Sequence, residues 1–336
     1  MKINGTQHFM LFANCIPVKG HSSCLIMDLQ RPGYIPIPKL LFELLCLNLK
    51  SLTINDLKQH YNNRIDKGID KYLNYLLDKE LGFLTNDPYD FPTINRTYHS
   101  PYRVLTSVIN YSEKSPYNLN DVLIQLKNLG CQLIQIRLFG FNDIERIISQ
   151  LNPIKRSRIK TVEIYINMEK IDIRSLKKLA KFDSRIFLNI CNSNIENSNH
   201  KIIDCINIRF INNPLTPYID EIINPSSFIC NIELFMESLK YNVGLNRKVS
   251  IDLDGGIKNF VNHSIKYGNI QTEKIENIIK LKEFQGKWDI NNDKIEKCKD
   301  CQYRYMCICN SDIKEINKKF SKTNTCNFNP YENTWM

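Results

Sequence analysis

Five cysteines crowd into residues 298–326 of this chain, reading Cys298-Lys-Asp-Cys301-Gln-Tyr-Arg-Tyr-Met-Cys307-Ile-Cys309 and then Cys326. Two cysteines separated by two residues on a turn can bring two thiolates to one metal without straining the backbone. A third cysteine six residues on, and a fourth on a returning segment, complete four-sulfur ligation. Soft thiolates select zinc or iron–sulfur over hard cations. Four sulfurs leave no open coordination position, so such a centre transfers electrons or holds structure rather than activating water. The candidate ligands are Cys298, Cys301, Cys307 and Cys326. Spacing alone leaves zinc, an iron–sulfur cluster and plain buried thiols all open.

The chain has 12 cysteines in all. Cys15, Cys24, Cys46, Cys131, Cys191, Cys205 and Cys230 stand apart, most of them in apolar stretches such as LFANCIPV and FLNICN, and read as small buried hydrophobes. With no secretory signal in MKINGTQHFMLF, the expected location is cytoplasmic, where thiols stay reduced and do not form a disulfide framework. His8, His21, His60, His99, His200 and His263 are not grouped with carboxylates or cysteines. Asp252 and Asp254 read as turn residues, and Tyr303 and Tyr305 as packing side chains. There is no glycine-rich phosphate loop, and Gly140 reads as a turn.

The composition is that of a globular protein, with 43% apolar and 24% charged residues. No apolar run is long enough for a membrane span. The formal charge of +10 favours acidic ligands, a peptide bearing Asp and Glu included. The basic residues are dispersed, which reads as solvated surface and not as a nucleic-acid footprint.

The elements that must position these residues fall into three stretches of an α/β chain. Residues 1–92 read as a winged-helix-like unit. Phe9–Val18 and Ser23–Leu29 are β-rich runs about a turn at Lys19-Gly20-His21. Three helical stretches follow: one at Leu40–Leu45, a second capped by Thr53, and a third with Ile65, Ile69, Leu73 and Leu76 on one face. Residues 93–228 alternate strands at Val104–Tyr111, Leu133–Phe139, Thr161–Asn167, Ile186–Cys191 and Ile202–Ile208 with helices at Asn120–Leu129, Asp143–Leu151 and Asp172–Phe182. That alternation predicts β/α units around a mostly parallel sheet, open or a partial barrel. Residues 229–336 begin with a strand at Lys248–Leu253, a turn at Asp254-Gly255-Gly256 and a partner strand at Ile257–Val261. A polar helix at Glu273–Phe284 then leads into the cysteine-rich tail.

The run CKDCQYRYMC and the closing CNFNPYENTW resemble the C-terminal SPASM domain of radical-SAM peptide maturases, with the nearest match in the maturase of grasp-with-spasm systems. CIPVKG with CLIMDLQR, LNRKVSIDLDGGIKN and KYGNI extend the resemblance over most of the chain. It implies one auxiliary 4Fe–4S cluster on Cys298, Cys301, Cys307 and Cys326, with zinc as the alternative. The family's second cluster draws on two further cysteines whose positions look like Gly244 and Phe260 here, neither able to ligate iron, while Cys309 lies two residues short of its family counterpart. The C-x3-C-x2-C signature is absent, so the expected core is a degenerate radical-SAM-like barrel without S-adenosylmethionine chemistry. The N-terminal unit then looks like a recognition domain for a ribosomal precursor peptide. Its edge strand, Phe9–Val18 or Ser23–Leu29, would take the peptide by β-augmentation. The partner implied is an ATP-grasp peptide ligase. The competing expectation is a zinc-stabilised binding or scaffold module without redox activity. No catalytic residue is legible.

Overall fold

A computed structural model describes residues 3–141, 143–167, 173–192, 201–203, 206–219, 223–324 and 326–336. The N-terminal stretch opens with strand β1 (His8–Leu11) and continues through β2 (Cys15–Lys19), β3 (Cys24–Asp28) and β4 (Gly33–Ile37). Helices α1 (Lys39–Leu45), α2 (Ile54–His60) and α3 (Asp66–Asp78) follow, and β5 (Gly82–Thr85) returns to pair antiparallel with β1. Thr53 and Asp56 form a reciprocal capping box that starts α2. The Phe9–Val18 run is thus two strands, not one. Its chain reverses at Phe12, whose carbonyl accepts from the Cys15 amide at 2.9 Å, and the halves join different sheets.

Strands β2, β3 and β4 form an antiparallel sheet with β3 in the middle. Ser23–Leu29 therefore has a partner on each side and is not a free edge. Each outer strand carries a proline, Pro17 or Pro36, which has no N–H to offer a further strand. All of β3 is buried because both of its faces are covered. Cys24 and Ile26 face a core with Leu41, Leu44, Leu57, Ile69 and Leu73, while Leu25 and Met27 pack with Phe235, Cys230 and Met306. Period-two alternation thus ties the N-terminal sheet to the cysteine-rich tail. One backbone and one side-chain bond add to the seam, with the His21 amide donating to the Asp300 carbonyl at 2.7 Å and the Arg304 guanidinium donating to the Lys19 carbonyl at 2.6 Å.

The central stretch runs β6 (Thr106–Ser112), α4 (Leu119–Asn128), β7 (Leu133–Phe139), α5 (Ile144–Gln150), β8 (Thr161–Asn167), α6 (Ile173–Lys181), β9 (Ile186–Cys191), β10 (Lys201–Ile203) and β11 (Ile206–Phe210). Helix α7 (Ile232–Ser238), β12 (Lys248–Ile251), β13 (Gly256–Lys258), β14 (Gly268–Asn269), α8 (Ile275–Ile278) and α9 (Lys282–Gln285) come next. The tail holds two small hairpins, β15 (Ile313–Ile316) with β16 (Lys319–Lys322) and β17 (Phe328–Asn329) with β18 (Thr334–Trp335).

Among the described residues one sheet is ordered β10-β11-β9-β8-β7-β6-β12-β13-β14, parallel from β11 through β12 and antiparallel at both ends. It draws β12–β14 from beyond residue 228. The predicted Ile202–Ile208 strand is instead the β10–β11 hairpin, and the predicted helix over Glu273–Phe284 is two short helices, α8 and α9, separated by residues 279–281. The start of the predicted Asp172–Phe182 helix lies outside the described residues; α6 covers the rest.

One face of the sheet carries Ile134, Ile136, Val162, Ile164, Ile186 and Leu188 in a common core with α4, α5 and α6. The other face is polar, with Asn110, Gln135, Arg137, Glu163, Tyr165 and Asn189 on it, as the alternating runs LIQIRLF and TVEIYIN imply. At the strands' carboxyl ends this face is crossed by residues 215–218. Asn110 donates to the Pro217 carbonyl at 2.8 Å, Arg137 to the Thr216 carbonyl at 2.7 Å, and Asn167 accepts from the Leu215 amide at 3.1 Å. Among the described residues no helix is long and apolar enough to cross a membrane.

Candidate metal centre

The loop from Cys298 to Cys307 is wound by its own backbone. The Lys299 amide donates to the Ile295 carbonyl at 2.9 Å, Cys301 to Cys298 at 3.0 Å, and Met306 to Tyr303 at 3.0 Å. Lys297 stands at φ +67°, and its ammonium donates to the Cys326 carbonyl at 3.0 Å, drawing the last cysteine back toward the first. The loop is also joined to β16 by the Glu296 amide on the Phe320 carbonyl at 2.8 Å. The amides of Tyr303 and Phe328 donate to the sulfurs of Cys301 and Cys326 at 3.4 and 3.5 Å. Such bonds favour a thiolate.

Burial pushes the Cys298 thiol up, pushes Cys301 up to about 12, and pushes Cys307 higher still. The cysteines then raise one another. Cys298 is acted on by Cys309 and Cys326, Cys301 by Cys298 and Cys326, and Cys307 by Cys309, Cys298 and Cys301. Left to themselves these are protonated thiols. A bound cation inverts that logic by deprotonating its ligands outright. A cavity of about 310 Å³ opens beside them, lined by Cys298, Cys309, Cys326, Lys297, Lys322 and Asn324 among others.

Among the described residues no group of three or more His, Cys, Asp or Glu side chains is close enough to hold a metal ion. Cys298, Cys309 and Cys326 border a shared space without closing on a point. In donor type they suit a sulfur-ligated centre, zinc or iron–sulfur alike, and no metal site is shown among the described residues. Of the predicted ligands, Cys298 and Cys326 are on the cavity wall, together with Cys309, while Cys301 and Cys307 do not line it.

Lys322 went unnoticed in the sequence, where KEINKKFSK reads as a solvated charge run. It lies on β16 opposite Ile313, and its side chain lines the cavity. Burial works against its charge, yet Cys309, Cys298 and Cys307 outweigh that and raise its pKa, with a hydrogen bond to Cys309 adding to the effect. The one available signal was hairpin alternation, which sets Lys322 on the same face as Phe320.

Where the resemblance would put a second cluster, the chain has filled the space. A Cβ on Gly244 would lie 2.1 Å from the Cys309 carbonyl oxygen. Phe260 is buried, with the Lys248 ammonium 5.4 Å from its ring centre. Beside it the His263 Nε2 lies 2.8 Å from the Asn310 carbonyl, which fixes Nε2 as the donor, and Lys287 pairs with Asp312 at 2.6 Å. Burial lowers the His263 pKa, keeping the ring neutral.

The remaining expectations are met unevenly. Cys15, Cys24, Cys131, Cys191 and Cys230 are buried, but Cys46 is exposed just past the end of α1, and Cys205 lies outside the described residues. Cys230 is more than filler, since its thiol lies 3.0 Å from the Gly33 carbonyl. Tyr303 packs, stacking on Phe228 at 4.8 Å and meeting Phe328 at 5.0 Å. Asp252 holds its turn by accepting from the Gly256 amide at 2.7 Å, and Lys258 and Lys266 sit 3.2 Å away. His200 lies outside the described residues. A second, larger cavity of about 680 Å³ lies against the N-terminal unit, with Leu11, Phe12, Pro17, Leu47, Phe83 and Ile94 on its walls.

No family model matches the chain. No curated protein matches it. Among solved structures, one described as native anSMEcpe with bound AdoMet aligns with 60% of this chain and 88% of its own at 10% identity and a TM-score of 0.30.

Proposed function

We propose that this chain is a SPASM-type protein of ribosomal peptide maturation, binding a precursor peptide through its N-terminal unit and carrying one 4Fe–4S cluster on Cys298, Cys301, Cys307 and Cys326. The observation that supports the reading is the return of Cys326 to the wall of one cavity with Cys298, the first cysteine of the loop that also carries Cys301 and Cys307. When bound, such a cluster supplies one-electron transfer at a closed coordination shell. The chain's own residues hold and insulate it. Tyr303 and Phe328 offer amides to two of the sulfurs, and Tyr303 packs with Phe228, Phe328 and Trp335. Potential then follows from hydrogen bonds to sulfur and from burial.

The make-up of residues 1–92, an antiparallel three-stranded sheet leading into three helices, supports a winged-helix reading of that unit. With prolines on both outer strands, the apolar groove along Leu11, Phe12 and Pro17 is the better seat for a precursor peptide than the β2 or β4 edge. The peptide is then presented to an ATP-grasp ligase. S-adenosylmethionine has no part in this scheme, because three suitably spaced cysteines are missing from the sequence.

Anaerobic purification with iron and sulfide analysis tests the centre. The expected result is about four irons per chain and a visible absorbance that bleaches on reduction. Both should be lost in Cys301→Ser and Cys307→Ser. Zinc in place of iron would establish the alternative, a zinc-stabilised scaffold. Calorimetric titration with a short peptide encoded beside the gene tests recognition, and no heat of binding would refute it.

A further inference from the structure

Residues 215–219 lie over the carboxyl ends of the parallel strands, yet their own main chain does not tie them there. Among the described residues none of their amides or carbonyls bonds to another backbone group. Side chains hold them instead. Asn167 accepts from the Leu215 amide at 3.1 Å, and Arg137 and Asn110 donate to the Thr216 and Pro217 carbonyls at 2.7 and 2.8 Å. Asn262 donates to the Ile219 carbonyl at 2.7 Å and accepts from its amide at 2.9 Å, the pair of bonds a neighbouring strand would make. Arg137 and Asn110 are 6% and 2% exposed, whereas Thr216, Pro217 and Tyr218 face solvent, and Leu215 alone of the segment is buried.

We propose that residues 215–219 are the displaceable occupant of an extended-peptide seat on the polar face of the sheet, and that the precursor peptide takes the same seat when they lift. This rests on the peptide-maturation reading above. The bonds that Asn110, Arg137, Asn167 and Asn262 give the segment all run to main-chain groups, which every peptide carries, so a foreign segment can make them too. Leaving the seat vacant strips Asn110 and Arg137 of their acceptors, which costs free energy and favours exchange of one segment for another. Pro214 and Pro217 restrict the covering segment to extended backbone, the shape an incoming peptide must also adopt. The segment competes with that peptide. It lowers the apparent affinity by the fraction of chains in which it has lifted.

The test titrates a fluorescent peptide with the sequence of residues 213–219 into the full-length wild-type chain, Leu215→Ala and Pro217→Gly. The precursor peptide encoded beside the gene is then added as competitor. Leu215→Ala removes the segment's buried anchor, Pro217→Gly loosens it from an exposed position, and both leave the seat intact. The expected result is binding at least about tenfold tighter in both variants than in wild type, and displacement by the precursor. Adding Arg137→Met should abolish that binding while thermal unfolding stays cooperative. Equal affinity in wild type and both variants overturns the proposal, as does binding that survives Arg137→Met. Should a variant fail to fold, Pro217→Gly stands in for Leu215→Ala, and Asn262→Ala for Arg137→Met. A precursor that binds wild type yet does not displace the labelled peptide overturns this proposal alone. A precursor that binds neither wild type nor the variants overturns the maturation reading with it.

Discussion

Replacing Glu237 by glutamine should make the protein more stable above neutral pH and leave it unchanged in mild acid. Glu237 is only 7% exposed, at the end of α7, where its Oε1 accepts from Asn246 Nδ2 at 2.7 Å. Burial raises its pKa from 4.5 to about 7; the Asn246 bond opposes this, Glu233 adds to it, and Arg247 and Lys248 are too weakly coupled to cancel it. Tyr98, packed nearby, is itself raised to about 12 by burial and then by Glu237, and brings no positive charge. An acid whose folded pKa lies above its unfolded value gives stability that is complete below pH 4.5 and is lost as pH rises through 7. The folded state must then either carry the proton or bear a buried charge. At about 1.4 kcal/mol per tenfold in proton activity, the full penalty is roughly 3 kcal/mol. Glutamine keeps the acceptor for Asn246 and has no charge to bury. Urea unfolding at pH 4 and pH 8 should therefore show a Glu237→Gln advantage near zero at pH 4 and about 3 kcal/mol at pH 8. An advantage equal at both pH values would refute the reasoning, because a packing effect does not titrate.

Four further outcomes follow from the structure. Gly244→Ala should destabilise the chain by about 1–3 kcal/mol in denaturant unfolding, since the new carbon meets the Cys309 carbonyl, and Gly244→Cys should cost as much without adding iron. Thr53→Ala removes one arm of the α2 capping box and should cost about 1 kcal/mol by the same measurement. Ile164→Ala, fully buried in the central sheet, should cost about 2–5 kcal/mol. Arg137→Met strips donors from the carbonyls of Thr216 and Pro217, which should cost about 1–3 kcal/mol and speed limited proteolysis within residues 215–218.

Much of the central architecture was legible because each signal was local. The β7 and β8 runs and the helix α4, with Asn118 capping it and Gly130 at φ +80° behind it, need only near neighbours to declare themselves. The errors arose where a strand's fate depends on distant partners. Residues 9–18 have β propensity throughout, so only pairing with β5 at one end and β3 at the other reveals the break at Phe12. Residues 201–210 are apolar enough for one strand, but β10 and β11 pair antiparallel with each other. Strands β4 and β5 escaped notice because GYIPI carries a proline and GFLT is very short, and each gains its stability from the strand beside it. In the candidate centre the cysteine cluster was legible from spacing, whereas Lys322 was not, because a lysine in a charged hairpin looks solvated until the opposing loop is in place.

Cysteine type and spacing and the alternation of β/α units are properties of the chain read in order, and they determined the sulfur-rich tail and the mostly parallel sheet. Only the tertiary structure decided that the N-terminal sheet is clamped between its own helices and the tail, that Gly244 stands against the Cys309 backbone with no room for a side chain, and that a partly buried lysine shares a cavity wall with Cys298, Cys309 and Cys326. The division has a physical cause. Propensity and ligand spacing act over a few residues. Burial, edge availability and the field at a sulfur are sums over atoms that the chain brings together from far apart.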